Sequence, residues 1–163
     1  MLTITVARSS KRTKEASLRI LPSSVIFVDP NVFVHAYLKP KRSLTSVEAK
    51  IKQSAKSIVS RINRGEMVLI SVVHFSELSN IFEDNMSLQD AQSFERAVCS
   101  KENITMMSVT YDDYLGAMDE AERKQSAINN ALIYVLMKKR GIDCVYSFDR
   151  DFDRFPDIKR LTA

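Results

Sequence analysis

The chain has 163 residues, 45% hydrophobic and 27% charged, with three Gly, four Pro and two Cys. Those totals suit one compact domain that buries roughly 68–70% of its unfolded surface without an external staple, and they argue against long flexible loops. The net charge of +4 is unevenly placed: residues 1–24 carry Arg8, Lys11, Arg12, Lys14 and Arg19 against Glu15, eight basic residues lie between Lys39 and Arg64 against Glu48, and from Glu66 to Glu122 Arg96 and Lys101 face twelve acids. Such a distribution lets basic parts hold a polyanion while an acidic centre holds cations, although charge runs are more commonly solvated faces.

Residues 1–24 show little periodicity beyond LTITV and read as a basic N-terminal arm, mobile or paired at a sheet edge; residues 25–163 read as the domain proper. Val25 to Val28 is a continuous apolar run of the kind buried on both faces of a parallel sheet, and Asp29 stands at its end. Pro30 opens a short helix that stops before Pro40. Thr45 with Glu48 is a capping-box pattern, and Val47, Ile51, Ala55, Ile58 and Ile62 then recur on one helical face up to Gly65. Met67 to Val73 is a second strand, followed by a helix with Glu77 in its first turns.

Ser87 with Asp90 starts a helix through about Ser100, and Ile104 to Val109 is a third strand. Thr110 with Asp113 caps a helix whose Leu115, Met118 and Ala121 should face inward and whose acids, Asp113 among them, should lie outside. From about Ala127 to Arg140 a further helix presents Ile128, Leu132, Val135 and Leu136, and Gly141 stops it. Cys144 to Ser147 is a fourth strand, ending in SFDRDFDRF, and Ile158 to Leu161 forms a short last one. Alternating strands and helices imply a three-layer α/β/α domain on a mainly parallel sheet of four to five strands.

Several classes are disfavoured. Cys99 and Cys144 lack a CxxC partner and read as buried thiols of a reducing compartment. His35 and His74 lack zinc-protease spacing and read as packing or hydrogen-bonding residues. No apolar run is long enough to span a membrane, and the opening residues turn polar too early for a signal peptide, so a cytoplasmic location is expected.

Asp29, Glu77 and Asp149 each follow a predicted parallel strand, which places them at one rim of the sheet. Each acid taken alone is a good helix cap. Three together repel unless a cation compensates, and hard oxygen ligands suit Mg²⁺ or Mn²⁺, ions that serve phosphodiester hydrolysis. In order, VDPNVFVHAYL, HFSELSNIF, NNALIYVLMKKRG and VYSFDRDFDRF resemble a PIN domain, more narrowly a VapC-like one, over about residues 25–161.

That resemblance implies a metal-dependent ribonuclease in which an acidic quartet binds Mg²⁺ or Mn²⁺ and cuts single-stranded or looped RNA, with a small antitoxin protein and a second copy of the chain as partners. Three of the quartet's acids map to Asp29, Glu77 and Asp149 as metal ligands, with Ser147 and Asn31 in support. Asn130 stands where the family usually has Asp, which should weaken metal affinity and water activation. It reads either as a change made to silence a toxic enzyme or as a natural variant in which Asp151 supplies the missing carboxylate. A catalytically inactive PIN-like module that binds RNA or protein is the alternative reading. A haloacid-dehalogenase-type phosphatase ranks below both, because Asn31 occupies the place of that family's second Asp.

Overall fold

The computed structural model describes residues 25–40 and 42–163, so the expected N-terminal arm lies outside the described residues. Five parallel strands form one sheet in the order β3-β2-β1-β4-β5. They are β1 (Ile26–Val28), β2 (Val68–Ser71), β3 (Ile104–Met107), β4 (Cys144–Tyr146) and β5 (Lys159–Leu161). The helices are α1 (Pro30–Tyr37), α2 (Ser46–Asn63), α3 (Val72–Asn85), α4 (Leu88–Cys99), α5 (Tyr111–Lys124) and α6 (Ile128–Arg140), and a 3₁₀ turn spans Arg150–Arg154.

Strand alternation divides the core between the two faces of the sheet. Phe27, Leu69 and Val145 pack with Ala117 and Ala121 of α5, Leu132 and Leu136 of α6, and Phe152. Val28, Ile70 and Tyr146 point the other way, onto Val32 of α1, Ile58 and Ile62 of α2, Leu78 and Phe82 of α3 and Ala91 of α4. Helices therefore cover both faces, giving the three-layer α/β/α architecture expected of a parallel sheet.

Local chemistry sets the boundaries. Asp29 caps α1, with Pro30 in the first turn, and Thr45 and Glu48 form the capping box of α2. Gly141 ends α6 at φ 66°, a left-handed conformation that costs a residue with a Cβ more than it costs glycine. β2 stops at Ser71, two residues earlier than its apolar run suggests, because the Ser71 side chain accepts from the His74 amide and so starts α3.

Four expectations about burial are corrected. Val47 is 64% exposed, since α2 turns the face carrying Ala55, Ile58, Val59 and Ile62 inward and Val47 lies in its opening turn, ahead of that contact. Leu115 and Met118 are exposed at 41% and 48%, while the small residues Ala117 and Ala121 meet the core. Asp113, expected on an acidic outer face, is buried at 7% exposure beneath α6, where Lys139 bonds it at 2.8 Å. Cys99 is exposed at the last residue of α4, one step round the helix from buried Val98; Cys144 is half-buried. Among the described residues no helix is long and apolar enough to cross a membrane.

Candidate active site

The three central strands deliver their acids to one place. Asp29 directly follows β1, Asp149 comes three residues after β4, and Glu77 sits in the second turn of α3, which leaves β2. From the opposite helical layer, the first turn of α6 brings Asn129 and Asn130 to the same rim. Together with Asn31 and His74 these side chains line a cleft of about 230 Å³ at the carboxyl ends of the strands.

Asp29 and Asp149 act both as helix caps and as cleft residues, one oxygen for each task. Asp29 Oδ1 accepts from the Asn31 amide at 3.0 Å, and its Oδ2 accepts from Asn31 Nδ2 at 2.8 Å and from the Ser147 hydroxyl at 2.6 Å. Asp149 Oδ1 accepts from the Asp151 amide at 2.9 Å, and its Oδ2 accepts from Asn130 Nδ2 at 2.8 Å. Ser147 Oγ in turn accepts from Asn31 Nδ2 at 3.1 Å and from the Asp149 amide at 3.0 Å, while Phe148 N–H donates to Asn31 Oδ1 at 3.2 Å. Ser147 and Asn31 thus tie the ends of β1 and β4 together around Asp29.

A second chain of bonds fixes the far wall. Asn129 Nδ2 donates to Glu77 Oε2 at 3.0 Å, and the Asn129 carbonyl is 3.0 Å from His74 Nε2. Ser71 Oγ lies 2.6 Å from His74 Nδ1. A carbonyl can only accept, so Nε2 carries the proton and Nδ1 accepts from Ser71. Burial holds His74 in that neutral form, lowering it to about 4 against the opposing pull of the Asn129 carbonyl. Neither Asn129 nor the position of His74 was singled out by spacing; the doubled Asn of NNALIYVLMKKRG at a helix start was the available signal.

Electrostatically the cleft is one-sided. Asp29 is raised to about 6, chiefly by burial; its hydrogen bonds to Asn31 and Ser147 oppose this, and the nearby charges of Asp149 and Glu77 add to it. Among the described residues no Lys or Arg lines the cleft. Three carboxylates and the Asn130 carbonyl form a hard-oxygen donor set that matches Mg²⁺ or Mn²⁺ in chemistry and charge. Their present arrangement is held by amides instead: among the described residues no three His, Cys, Asp or Glu side chains are gathered closely enough to hold one ion. The Asn130 and Asn129 amides each take one carboxylate oxygen, Asp149 Oδ2 and Glu77 Oε2. Asp151 is not part of the cleft; its carboxylate bonds Arg154 at 3.2 Å.

The class that fold and site define is a three-layer domain with an acidic cleft at the carboxyl edge of a five-stranded parallel sheet. The PIN domain model matches residues 26–158, and the chain belongs to that family. Its fold is similar to that of Mycobacterium tuberculosis VapC20, described as a Sarcin-Ricin loop cleaving toxin, at TM-score 0.62 and 21% identity over 78% of this chain and 92% of the other. It is also similar to a chain of VapBC2 from Rickettsia felis, solved bound to a DNA fragment from their promoter, at TM-score 0.57 and 15% identity over 84% of this chain and 97% of the other. No curated protein sequence matches.

Proposed function

We propose that this protein is an endoribonuclease of the VapC toxin type, dependent on Mg²⁺ or Mn²⁺ and weakened by Asn130. The observation that carries the reading is the meeting of Asp29, Glu77 and Asp149, from three different strand ends, in one cleft with no lysine or arginine among the described residues that line it. The VapC20 description supports RNA as the substrate, and the VapBC2 complex supports a small antitoxin protein as partner. A second copy of the chain is the further partner the family resemblance implies.

In this reading Asp29, Glu77 and Asp149 hold the cation, which when bound polarises a phosphoryl oxygen and acidifies water. Ser147 and Asn31 keep the Asp29 carboxylate aimed at the cleft through the bonds described above. Asn130 offers the size of the family Asp and a carbonyl oxygen but no charge and no place for a proton. The test is RNA cleavage with Mn²⁺ by the chain and by Asn130→Asp. Cleavage that rises by about two orders of magnitude or more in the variant is expected for a restored acid–base group. A folded variant that cuts no RNA across varied substrates overturns the reading.

The amide bonds onto Asp149 and Glu77 favour one rival, a PIN-like module that binds RNA or protein without cutting. Tight, metal-independent RNA binding that survives Asp29→Ala, with no cleavage by Asn130→Asp, identifies that rival.

A further inference from the structure

A second groove, of about 290 Å³, lies behind the loop that carries Asp149. Lys50 and Ile51 of α2, Val47 in its opening turn, Phe148 and Arg150 after β4, and Arg160 of β5 line it. Phe148 and Arg150 flank Asp149 in the chain, each one Cα step of about 3.8 Å away. Cleft and groove therefore share a wall, and Phe148 joins them through the hydrogen bond its backbone N–H donates to Asn31 Oδ1.

The groove has the opposite chemistry to the cleft. Arg160 is bound by Asp153 at 2.8 and 2.9 Å, whereas exposed Lys50 and Arg150 form no ion pair among the described residues. Apolar side chains lie among them: Val47 of α2 is 64% exposed, Ile51 is half-buried, and the Phe148 ring is held edge-on to His35 at 5.4 Å. Cations among apolar and aromatic side chains match a ligand that alternates negative charge with flat faces, as an unpaired nucleic-acid strand does.

We propose that this groove is a subsite for the single-stranded RNA that flanks the phosphate lying in the cleft, with Lys50 and Arg150 on backbone phosphates and Phe148 and Val47 beneath a base. The assignment rests on the ribonuclease reading for the direction of the strand but not for its binding chemistry. The groove's cations would draw the strand past the acids, which alone repel phosphate.

The experiment measures anisotropy of a short fluorescein-labelled oligoribonucleotide of mixed sequence in metal-free buffer, so that cleavage plays no part. Lys50→Ala with Arg150→Ala should weaken binding about tenfold and make the plot of log affinity against log salt less steep by about 1.4, two phosphate contacts on a single strand. Phe148→Leu, which keeps an apolar filler against His35, should weaken binding with the salt slope unchanged. Circular dichroism and melting temperature check that each variant is folded. No binding by the unsubstituted protein, unchanged affinity in the double variant, or an equal loss for an acidic polypeptide overturns the subsite. Unchanged binding beside active Asn130→Asp refutes the groove and leaves the nuclease; weakened binding beside inactive Asn130→Asp does the reverse.

Discussion

At Asn130 one nitrogen atom decides the state of the cleft. Its Nδ2 donates to Asp149 Oδ2 at 2.8 Å, so an uncharged donor faces that carboxylate. Asn130→Asp removes that donor and places a carboxylate against a carboxylate. In metal-free buffer the variant is expected to be less stable by about 2 kcal/mol or more, the loss of a hydrogen bond to a charged group plus repulsion. Added Mn²⁺ should recover about 2.7 kcal/mol at a hundredfold excess over its dissociation constant, and the unsubstituted chain should gain much less. Melting curves with and without Mn²⁺ read this independently of any cleavage; an Asn130→Asp protein indifferent to Mn²⁺ removes the cation from the site. The identity of this residue was legible in the sequence through its place before ALI, but its partner was not. A helix start and a strand end far apart in the chain meet only when the two layers close.

The pairing of α5 with α6 shows what helical periodicity misses. Of Leu115, Met118 and Ala121, which suggested the inner face, only Ala121 is buried, and Ala117 joins it, both small enough for close approach. With the helix turned that way Asp113 is carried inward. There its carboxylate closes the capping box with Thr110 and accepts from Lys139 at 2.8 and 3.1 Å. Burial pushes Asp113 upward, but Lys139 and the Thr110 donors outweigh it and hold the carboxyl below its ordinary value. Asp113→Ala should cost about 1–2 kcal/mol, mostly the cap, because Lys139 is half in solvent and its share is screened. Since the folded value is depressed, this contribution is complete above the unfolded carboxyl value and disappears as pH falls through the folded one. Urea titrations across an acid series should therefore show the gap between the two proteins largest at neutral pH and shrinking as pH falls below the unfolded carboxyl value; a gap that does not change with pH contradicts the assignment. Strong signals such as the capping boxes of α2 and α5 were readable in the sequence, whereas which face of α5 is buried depends on the shape of α6 and was not.

Across the whole molecule, the alternation of strands with helices predicted a parallel three-layer domain, but not the order β3-β2-β1-β4-β5, which rests on register between distant segments. That order puts two buried titrating groups, Asp29 and His74, on the walls of one cleft with opposite effects on stability. Asp29 is raised to about 6 by burial, so between roughly 4 and 6 the folded chain binds more protons than the unfolded one, and stability falls as pH rises. His74 is lowered to about 4, also by burial, so between about 4 and 6.5 the unfolded chain binds more protons and stability rises with pH. Half-buried His35, lowered by its own burial and by Lys52, adds to the His74 side. Each of the two main effects is on the order of 3 kcal/mol, and in metal-free buffer they oppose one another between about pH 4 and 6. Asp29→Asn should uncover the histidine slope and lose stability as the buffer is acidified through that window. His74→Gln, which retains a donor for the Asn129 carbonyl, should uncover the carboxyl slope and gain stability over the same range. Denaturant midpoints of the three proteins across the window test the pair at once. Parallel profiles would mean that neither group titrates in the folded cleft as its burial requires, and that water reaches the carboxylates freely.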